Sequence, residues 1–235
     1  MKKLLATLLA VAMMATAFAG CASSTTSTAS TTTESTESTA AAETETAEVA
    51  EEAPAGDNTV VIGIYEPASG DNGAGGKQEM LGMQYAYAMN PTVDIDGVTY
   101  NVVLEYADNQ SSTDKAVSAA SQLVSAGSSV VLGSYGSGVA IAGSDTFAAA
   151  GVPAIGVTCT NSQVTEGNSH YFRICFIDPF QGTVLANFAQ DKFEAKTAYV
   201  LTKLGDDYST GLGYYFEEAF EAAGGTVISE AFPDG

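Results

Sequence analysis

Glycine and hydroxyl residues follow two predicted strands of this chain and could hold a small molecule. Hydroxyl groups and free main-chain N–H groups donate hydrogen bonds to a carboxylate, and a helix that begins among them adds the positive end of its dipole. The residues concerned are Tyr135, Gly136, Ser137, Thr158 and Thr160. They predict a binding site for a small anion, and nothing in them predicts catalysis.

The segment 130–160 supplies the elements that would position these residues. An apolar run at 130–132 predicts a buried strand, residues 134–138 a turn, residues 139–150 a helix and residues 152–157 a second strand. In a parallel sheet the loops after both strands open at the same edge, where such folds bind ligands. We therefore expect the two groups of residues to meet at that edge.

Strands and helices alternate along residues 58–235. Apolar and β-branched runs predict the strands, and apolar residues at helical spacing predict the helices. The predicted strands are 59–65, 100–106, 130–132, 152–157, 171–176, 198–204 and 226–232, and the predicted helices are 77–90, 113–126, 139–150, 179–193 and 209–223. Residues 94–97 are predicted to form a turn before the second strand. This alternation predicts the α/β fold class with parallel sheets.

The alternation restarts after residue 178, which predicts two similar lobes. The first is an N-terminal ligand-binding lobe at 58–177, and the second is a partial C-terminal lobe at 178–235. The second lobe has only two predicted strands and two predicted helices. We therefore expect the sequence to be the front part of a longer protein, and we expect the fragment alone to bind its ligand poorly.

The N-terminal residues have the pattern of a bacterial export signal. Two lysines precede an apolar run at 4–18, which is too short to cross a bilayer comfortably. The segment 1–21 ends in FAGC, which resembles a lipobox in which Cys21 carries the lipid; ordinary secretion with cleavage at an Ala-x-Ala-like site is the alternative. Residues 22–57, built mainly from Ser, Thr, Ala and Glu, predict a disordered linker.

The charge balance excludes polyanionic partners. The formal net charge is −20, and residues 58–235 keep 20 acidic and 6 basic side chains, a net charge of −14. A domain this acidic repels nucleic acid and anionic lipid surfaces, so we predict no nucleic-acid binding and membrane contact through a lipid anchor only.

Nucleotide, metal and catalytic motifs are absent from the sequence. The segment 72–77, NGAGGK, lacks the first glycine and the final Ser or Thr of a phosphate-binding loop. The sole histidine, His170, lies in a polar loop beside no marked nucleophile. Cys159 and Cys175 could form a disulfide or remain free thiols, and their spacing fits no zinc pattern. We predict no cofactor, no metal and no enzymatic activity.

Four stretches of the chain together resemble a known family. They are GIYEPASG, EYADNQSSTDKAVSAASQLV, VLGSYGSG with VPAIGVTCTN, and YFRICFIDPFQG with GDDYSTGLG, within residues 59–213. The chain resembles the type I periplasmic binding proteins, in the branched-chain amino-acid group of ABC-transporter solute-binding proteins. The resemblance implies two Rossmann-like lobes joined by three crossovers, with the second lobe truncated in this chain.

The resemblance also implies roles for individual residues. Ser137 matches a serine that holds the ligand carboxylate, with the Tyr135–Gly136 loop beside it. Thr158 and Thr160 match positions that contact the polar end of the amino acid. Tyr208 matches an aromatic residue that closes over the ligand. Two alternatives stay open, namely that Ser137 is a plain helix N-cap and that Tyr208 packs within its own lobe.

The resemblance extends to the hinge and to one departure. Arg173, Asp178 and Gln181 match hinge residues rather than ligand contacts. The family often has an aromatic residue in the first loop as a wall of the side-chain pocket, whereas this chain has Gly75 near that place.

The resemblance implies a function in transport. We expect an extracytoplasmic, lipid-anchored protein that captures a small amino acid, of the branched-chain class, and delivers it to an ABC permease by hinge closure. The alternatives are the same fold binding an amide, a urea-like compound or another small solute, and a sensor that reports ligand occupancy to a membrane partner.

Overall fold

The structure is a computed structural model that describes residues 58–233. The predicted signal sequence, linker and lipid-modified Cys21 lie outside these residues. The strands are β1 (Thr59–Glu66), β2 (Thr92–Ile95), β3 (Val98–Asp108), β4 (Val130–Leu132), β5 (Ala154–Gly156), β6 (Tyr171–Arg173), β7 (Thr197–Lys203) and β8 (Thr226–Phe232). The helices are α1 (Gly73–Met89), α2 (Thr113–Ser125), α3 (Ser137–Ala150), α4 (Asp178–Phe193) and α5 (Asp207–Ala222), with a 3₁₀ turn at Ser162–Val164.

Six strands form one sheet, in the order β2-β3-β1-β4-β5-β6. The strands from β3 to β6 pair in parallel, and β2 pairs antiparallel with β3 at the edge. We call this sheet and helices α1 to α3 the six-stranded lobe. The α/β class and the parallel strands are confirmed, and the loops after β1, β4 and β5 open at one edge of the sheet as the topology requires.

Tyr65 and Phe147 lie at the centre of the six-stranded lobe. Their rings meet edge to face with centroids 5.3 Å apart, and both side chains are fully buried. The Tyr65 hydroxyl donates a hydrogen bond of 2.9 Å to the carbonyl of Val139, which ties β1 to the first turn of α3. The core therefore fixes the helix whose N-terminus faces the edge of the sheet.

Strands β7 and β8 form a separate parallel pair. With α4 and α5 they make up what we call the two-stranded lobe. The two helices pack together, with Phe220 fully buried and the Gln190 amide donating to the Phe220 carbonyl at 3.2 Å. Alternate residues of β7, including Tyr199 and Leu201, remain exposed. Helix α5 therefore packs against one face of this sheet and leaves the other face exposed. The predicted lobe boundary at 177 and 178 remains a prediction.

Two predicted boundaries were wrong for identifiable reasons. The segment 94–97 was predicted as a turn, but β2 includes Asp94 and Ile95, because Asp96 and Gly97 alone form the tight hairpin turn with positive φ. Helix α1 begins at Gly73 instead of residue 77, because its glycine-rich first turn packs against the chain at 67–68. Smaller shifts shorten β5 and β6 to three residues each.

No helix among residues 58–233 combines the length and the apolar character that a membrane span requires.

Candidate functional site

A cleft of about 510 Å³ lies where the six-stranded lobe faces the two-stranded lobe. Its walls come from the loops after β1, β3, β4 and β5, from the segment after β6, and from β7 and α5. The lining residues are Asp71, Asn72, Ser111, Tyr135, Gly136, Ser137, Thr158, Thr160, Cys175, Phe176, Gln181, Lys203, Asp206 and Tyr208. The structure thus brings all six residues predicted to bind the ligand around one cleft; their contact with a ligand stays a prediction.

Ser137 is the first residue of α3 and is 2% exposed. Gly136 occupies the cap position with φ 102°, so the alternative that Ser137 is the helix N-cap is wrong. The Ser137 hydroxyl accepts the main-chain N–H of Asn161 at 3.2 Å, which joins the loop after β4 to the loop after β5. Its own proton remains available to an acceptor in the cleft, next to the free N–H groups of the helix terminus.

Thr160 lines the cleft from the loop after β5 and is 5% exposed. Its hydroxyl makes no hydrogen bond within the described part of the chain. The fully buried Asp178 carboxyl lies beside it without reaching hydrogen-bond geometry. Burial raises the pKa of Asp178, whereas the Thr160 hydroxyl and the Arg173 guanidinium lower it. Because the Asp178 contact falls short of normal hydrogen-bond geometry, the buried Thr160 hydroxyl is well placed to bind a polar ligand group.

Arg173 holds the loop that carries Thr160. Its guanidinium donates to the carbonyls of Cys159 at 3.1 Å, Asn161 at 2.8 Å and Ser162 at 3.1 Å. It also donates to the Thr165 hydroxyl at 2.6 Å. The planar five-donor head suits such a convergent set of acceptors. Arg173 therefore shapes the cleft without lining it, and its predicted role at the hinge stays a prediction.

Thr158 contacts the first helix of the chain. Its hydroxyl donates a short hydrogen bond to the Glu79 carboxylate on α1. Thr158 therefore offers the cleft its main chain and methyl group while its hydroxyl proton is engaged. Sequence reasoning missed this partner because the two residues are 79 positions apart.

Tyr208 reaches the cleft from α5 and is 38% exposed. Gln181 donates a hydrogen bond of 3.4 Å to its hydroxyl from α4. Tyr208 thus has a partner in its own lobe and also lines the cleft, and its closure over a ligand stays a prediction. Gln181, predicted as a hinge residue, also lines the cleft.

The ring of Tyr135 covers Gly75. A Cβ atom built on Gly75 would lie 2.5 Å from the Cζ atom of Tyr135, far inside van der Waals contact. The main-chain N–H of Tyr135 donates to the buried Glu66 carboxyl at 2.7 Å, so the loop is fixed beneath the ring. The Tyr135 ring thus lies against Gly75 at the cleft, a contact that sequence reasoning did not foresee, and its role as a wall of a side-chain pocket stays a prediction.

We expect Gly75→Ala to displace the Tyr135 ring and to lower the free energy of unfolding by about 1–3 kcal/mol through overpacking. Thermal melts of Gly75→Ala, Tyr135→Leu and the double variant test this, and the double variant should recover most of the loss. Gly82→Ala, on the same helix with no atom within 4 Å of the added carbon, is the matched control. Equal melting temperatures for Gly75→Ala and Gly82→Ala would contradict the contact.

An ion pair and hydrogen bonds join the two lobes at the cleft. Lys203 at the end of β7 lies 3.2 Å from the Asp71 carboxylate in the loop after β1. The Asn161 amide donates to the main-chain carbonyl of Asp207 at 2.7 Å. Lys203 and Asp71 are 132 positions apart, and no local pattern in the sequence marks either residue.

The two cysteines of the described residues, Cys159 and Cys175, are free thiols. Cys159 is fully buried, and burial, with the nearby Cys175, raises the pKa of its thiol to about 12. Cys175 lines the cleft. The predicted disulfide alternative is therefore not what the structure contains.

The described residues include no group of three or more His, Cys, Asp or Glu side chains that could hold a metal ion. His170 pairs with the neighbouring Ser169 hydroxyl at 3.2 Å and does not line the cleft.

The match to a protein family and the matches to individual relatives agree with each other. Residues 59–235 match the family described as periplasmic binding protein. A Leu/Ile/Val-binding protein of Rhizobium johnstonii is 33% identical over 186 residues, which are 78% of this chain and 50% of that protein. The chain spans about half the length of the curated relatives it matches.

Two solved structures have a similar fold. The crystal structure of a leucine binding protein from Thermotoga maritima matches with a TM-score of 0.71 and 31% identity, over 75% of this chain and 50% of that one. A solute binding protein of an ABC transporter from Rhodopseudomonas palustris, in complex with 3,4-dihydroxybenzoic acid, matches with a TM-score of 0.65. Its identity is 21%, over 74% of this chain and 47% of that one, and the likeness shows the fold alone.

Proposed function

Because this chain belongs to the periplasmic binding protein family, in its type I branched-chain amino-acid group, we propose that it binds a small aliphatic L-amino acid in the cleft between its lobes. Membership also confirms the predicted fold and agrees with the prediction that the protein is not an enzyme. Family membership further supports an extracytoplasmic location, and the lipid anchor at Cys21 is part of the proposal.

The observation that carries the proposal is the pair of buried hydroxyls at the N-terminus of α3. Ser137 and Thr160 both line the cleft, the Asn161 N–H donates to the Ser137 hydroxyl, and the Thr160 hydroxyl makes no hydrogen bond of normal geometry within the described residues. A ligand carboxylate would accept from these hydroxyls and from the helix N–H groups. Lys203 and the carboxylates of Asp71 and Asp206 line the same cleft, so charges of both signs are available to a zwitterion.

The experiment is a binding panel on the full-length protein by equilibrium dialysis with labelled L-leucine. We expect L-isoleucine and L-valine to compete, and urea and short amides not to. If a short amide competed with L-leucine and the other amino acids did not, the ligand would belong to the amide class. Ser137→Ala and the remote Ser144→Ala, whose hydroxyl donates to Ile141 within α3, provide the matched pair of variants.

A second candidate is an aromatic acid. Tyr135, Phe176 and Tyr208 line the cleft, and aromatic walls suit an aromatic ring as well as an aliphatic chain. Benzoate and 3,4-dihydroxybenzoate belong in the same panel, because both also carry the carboxylate that the hydroxyl pair would hold.

Delivery of the ligand to an ABC permease completes the proposal. The ligand would stabilise the closed arrangement of the lobes by its higher affinity for that state. A membrane reconstitution with the permease distinguishes transport from sensing, since a sensor would respond to the ligand without moving it.

A further inference from the structure

Two carboxyl groups meet beneath the cleft, between β1 and α1. Glu66 at the end of β1 is 1% exposed, and after burial the neighbouring carboxyl of Glu79 on α1 is the main cause of its raised pKa. Neither residue lines the cleft. Each holds a residue that does, because Glu66 accepts the main-chain N–H of Tyr135 and Glu79 accepts the hydroxyl of Thr158.

The hydrogen-bond pattern leaves one oxygen of each carboxyl unpaired. Glu66 uses Oε2 for Tyr135, and its Oε1 is buried without a partner. Glu79 uses Oε1 for Thr158, and its Oε2 is buried without a partner. A single proton between the two orphan oxygens satisfies both, whereas two bare carboxylates would repel each other in a poorly solvated site.

Among the described residues, no cation is a cause of the Glu66 pKa shift. In addition to burial, the Glu66 carboxyl raises the pKa of Tyr65 on β1 and Tyr171 on β6, and Glu79 raises the pKa of Cys175, which the Arg173 guanidinium lowers. Burial raises the pKa of each of these three groups, so all are neutral around neutral pH. Burial and then the Glu79 carboxyl likewise raise the pKa of Glu66 well above its usual range.

We propose that Glu66 and Glu79 share one proton and that this hydrogen bond positions the Tyr135 and Thr158 sides of the cleft. The proton lies on Glu66 Oε1 and is donated to Glu79 Oε2, so the pair carries one negative charge. Glu66 and Glu79 are positioning residues, since they act on the cleft through Tyr135 and Thr158. The effect on ligand affinity rests on the proposed function, whereas the shared proton and the loop order do not.

The key variant is Glu66→Gln, because its amide reproduces the protonated carboxyl. The amide oxygen accepts the Tyr135 N–H, and the amide nitrogen donates to Glu79 without titrating. Glu66→Ala removes both bonds and leaves the Tyr135 N–H unpaired. Glu166→Gln changes an exposed acid of the same lobe and is the matched control.

Urea unfolding of the full-length protein at a series of pH values tests the proton without any ligand. The folded pKa of Glu66 is raised, so the native state keeps a proton that the unfolded state releases above the ordinary pKa of 4.5. Stability present at low pH is therefore lost as the pH rises. Between about pH 5 and pH 9, the folding constant of the wild type relative to Glu66→Gln should fall by up to about tenfold per pH unit.

Amide hydrogen exchange tests the positioning, also without a ligand. The peptide that contains Tyr135 should exchange faster in Glu66→Ala and at the wild-type rate in Glu66→Gln and Glu166→Gln. Parallel pH profiles for wild type and Glu66→Gln would overturn the shared proton. Unchanged exchange at Tyr135 in Glu66→Ala would overturn the positioning role.

Affinity for L-leucine is the third measurement. We expect Glu66→Gln to bind within about threefold of the wild type and Glu66→Ala to bind about tenfold more weakly, the effect of one lost hydrogen bond. Equal affinity of the wild type, Glu66→Gln and Glu66→Ala for L-leucine would overturn the positioning role. If the wild type binds no amino acid, the proposed function fails, and the unfolding and exchange measurements still decide the shared proton and its effect on the loop.

Discussion

Ser137→Ala is expected to weaken the binding of L-leucine by about 10- to 100-fold, the effect of losing one hydrogen bond to a charged group. The hydroxyl of Ser137 is buried at the first turn of α3, where its proton and the free N–H groups converge on the cleft. An alanine leaves a ligand carboxylate with one donor fewer in a site from which water is largely excluded. Isothermal titration calorimetry of the full-length protein gives the affinity directly.

The control for this prediction separates binding from folding. Ser137 also accepts the Asn161 N–H, so some stability is lost with it, and a change in melting temperature alone would prove little. Ser144→Ala removes a hydroxyl from the same helix, one that donates to the Ile141 carbonyl, and should bind leucine as the wild type does. If both variants bound with equal affinity, Ser137 would not hold the ligand.

Arg173→Lys is expected to lower the free energy of unfolding by about 3–5 kcal/mol, because four hydrogen bonds from a charged donor are lost or weakened together. The guanidinium reaches the carbonyls of Cys159, Asn161 and Ser162, and no single ammonium can replace its planar geometry. Typical domains are stable by only about 5–15 kcal/mol, so a loss of this size is severe. Urea unfolding of the wild type and the variant measures it.

Binding should fall with stability in the Arg173→Lys variant, because the loop that Arg173 holds also carries Thr160. Lys115→Met removes an exposed cation from α2 and serves as the matched control for charge. Below the unfolding transition, we expect Arg173→Lys to bind leucine more weakly and Lys115→Met to bind it unchanged. A Thr160 loop that stays ordered and binds normally in Arg173→Lys would contradict the role given to Arg173.

The parts of the site that the sequence could predict depend on the order of strands. Ser137 and Thr160 follow strands β4 and β5, and parallel neighbours place their following loops at one edge. That rule brought both hydroxyls to the same cleft without any knowledge of side-chain contacts.

The rest of the site depends on tertiary contacts that have no local pattern. The Tyr135 ring over Gly75 requires the register between α1 and the loop after β4, and the Glu66–Glu79 contact requires the same packing. The early start of α1 at Gly73 shows packing overriding the low helix propensity of glycine. The hairpin after β2 is different, because its Asp-Gly pair is a local signal for a two-residue turn. The prediction of a turn over all of 94–97 did not use that signal.

The most direct test of the account compares L-leucine with L-leucinamide by calorimetric titration of the full-length protein. The two molecules share the side chain and the amino group, and only leucine carries the carboxylate that Ser137, Thr160 and the terminus of α3 would hold. We predict that leucine binds and that leucinamide binds at least about tenfold more weakly, because leucinamide loses one or more hydrogen bonds to a charged group. Equal affinity for the two compounds, or no heat with leucine at all, would contradict it.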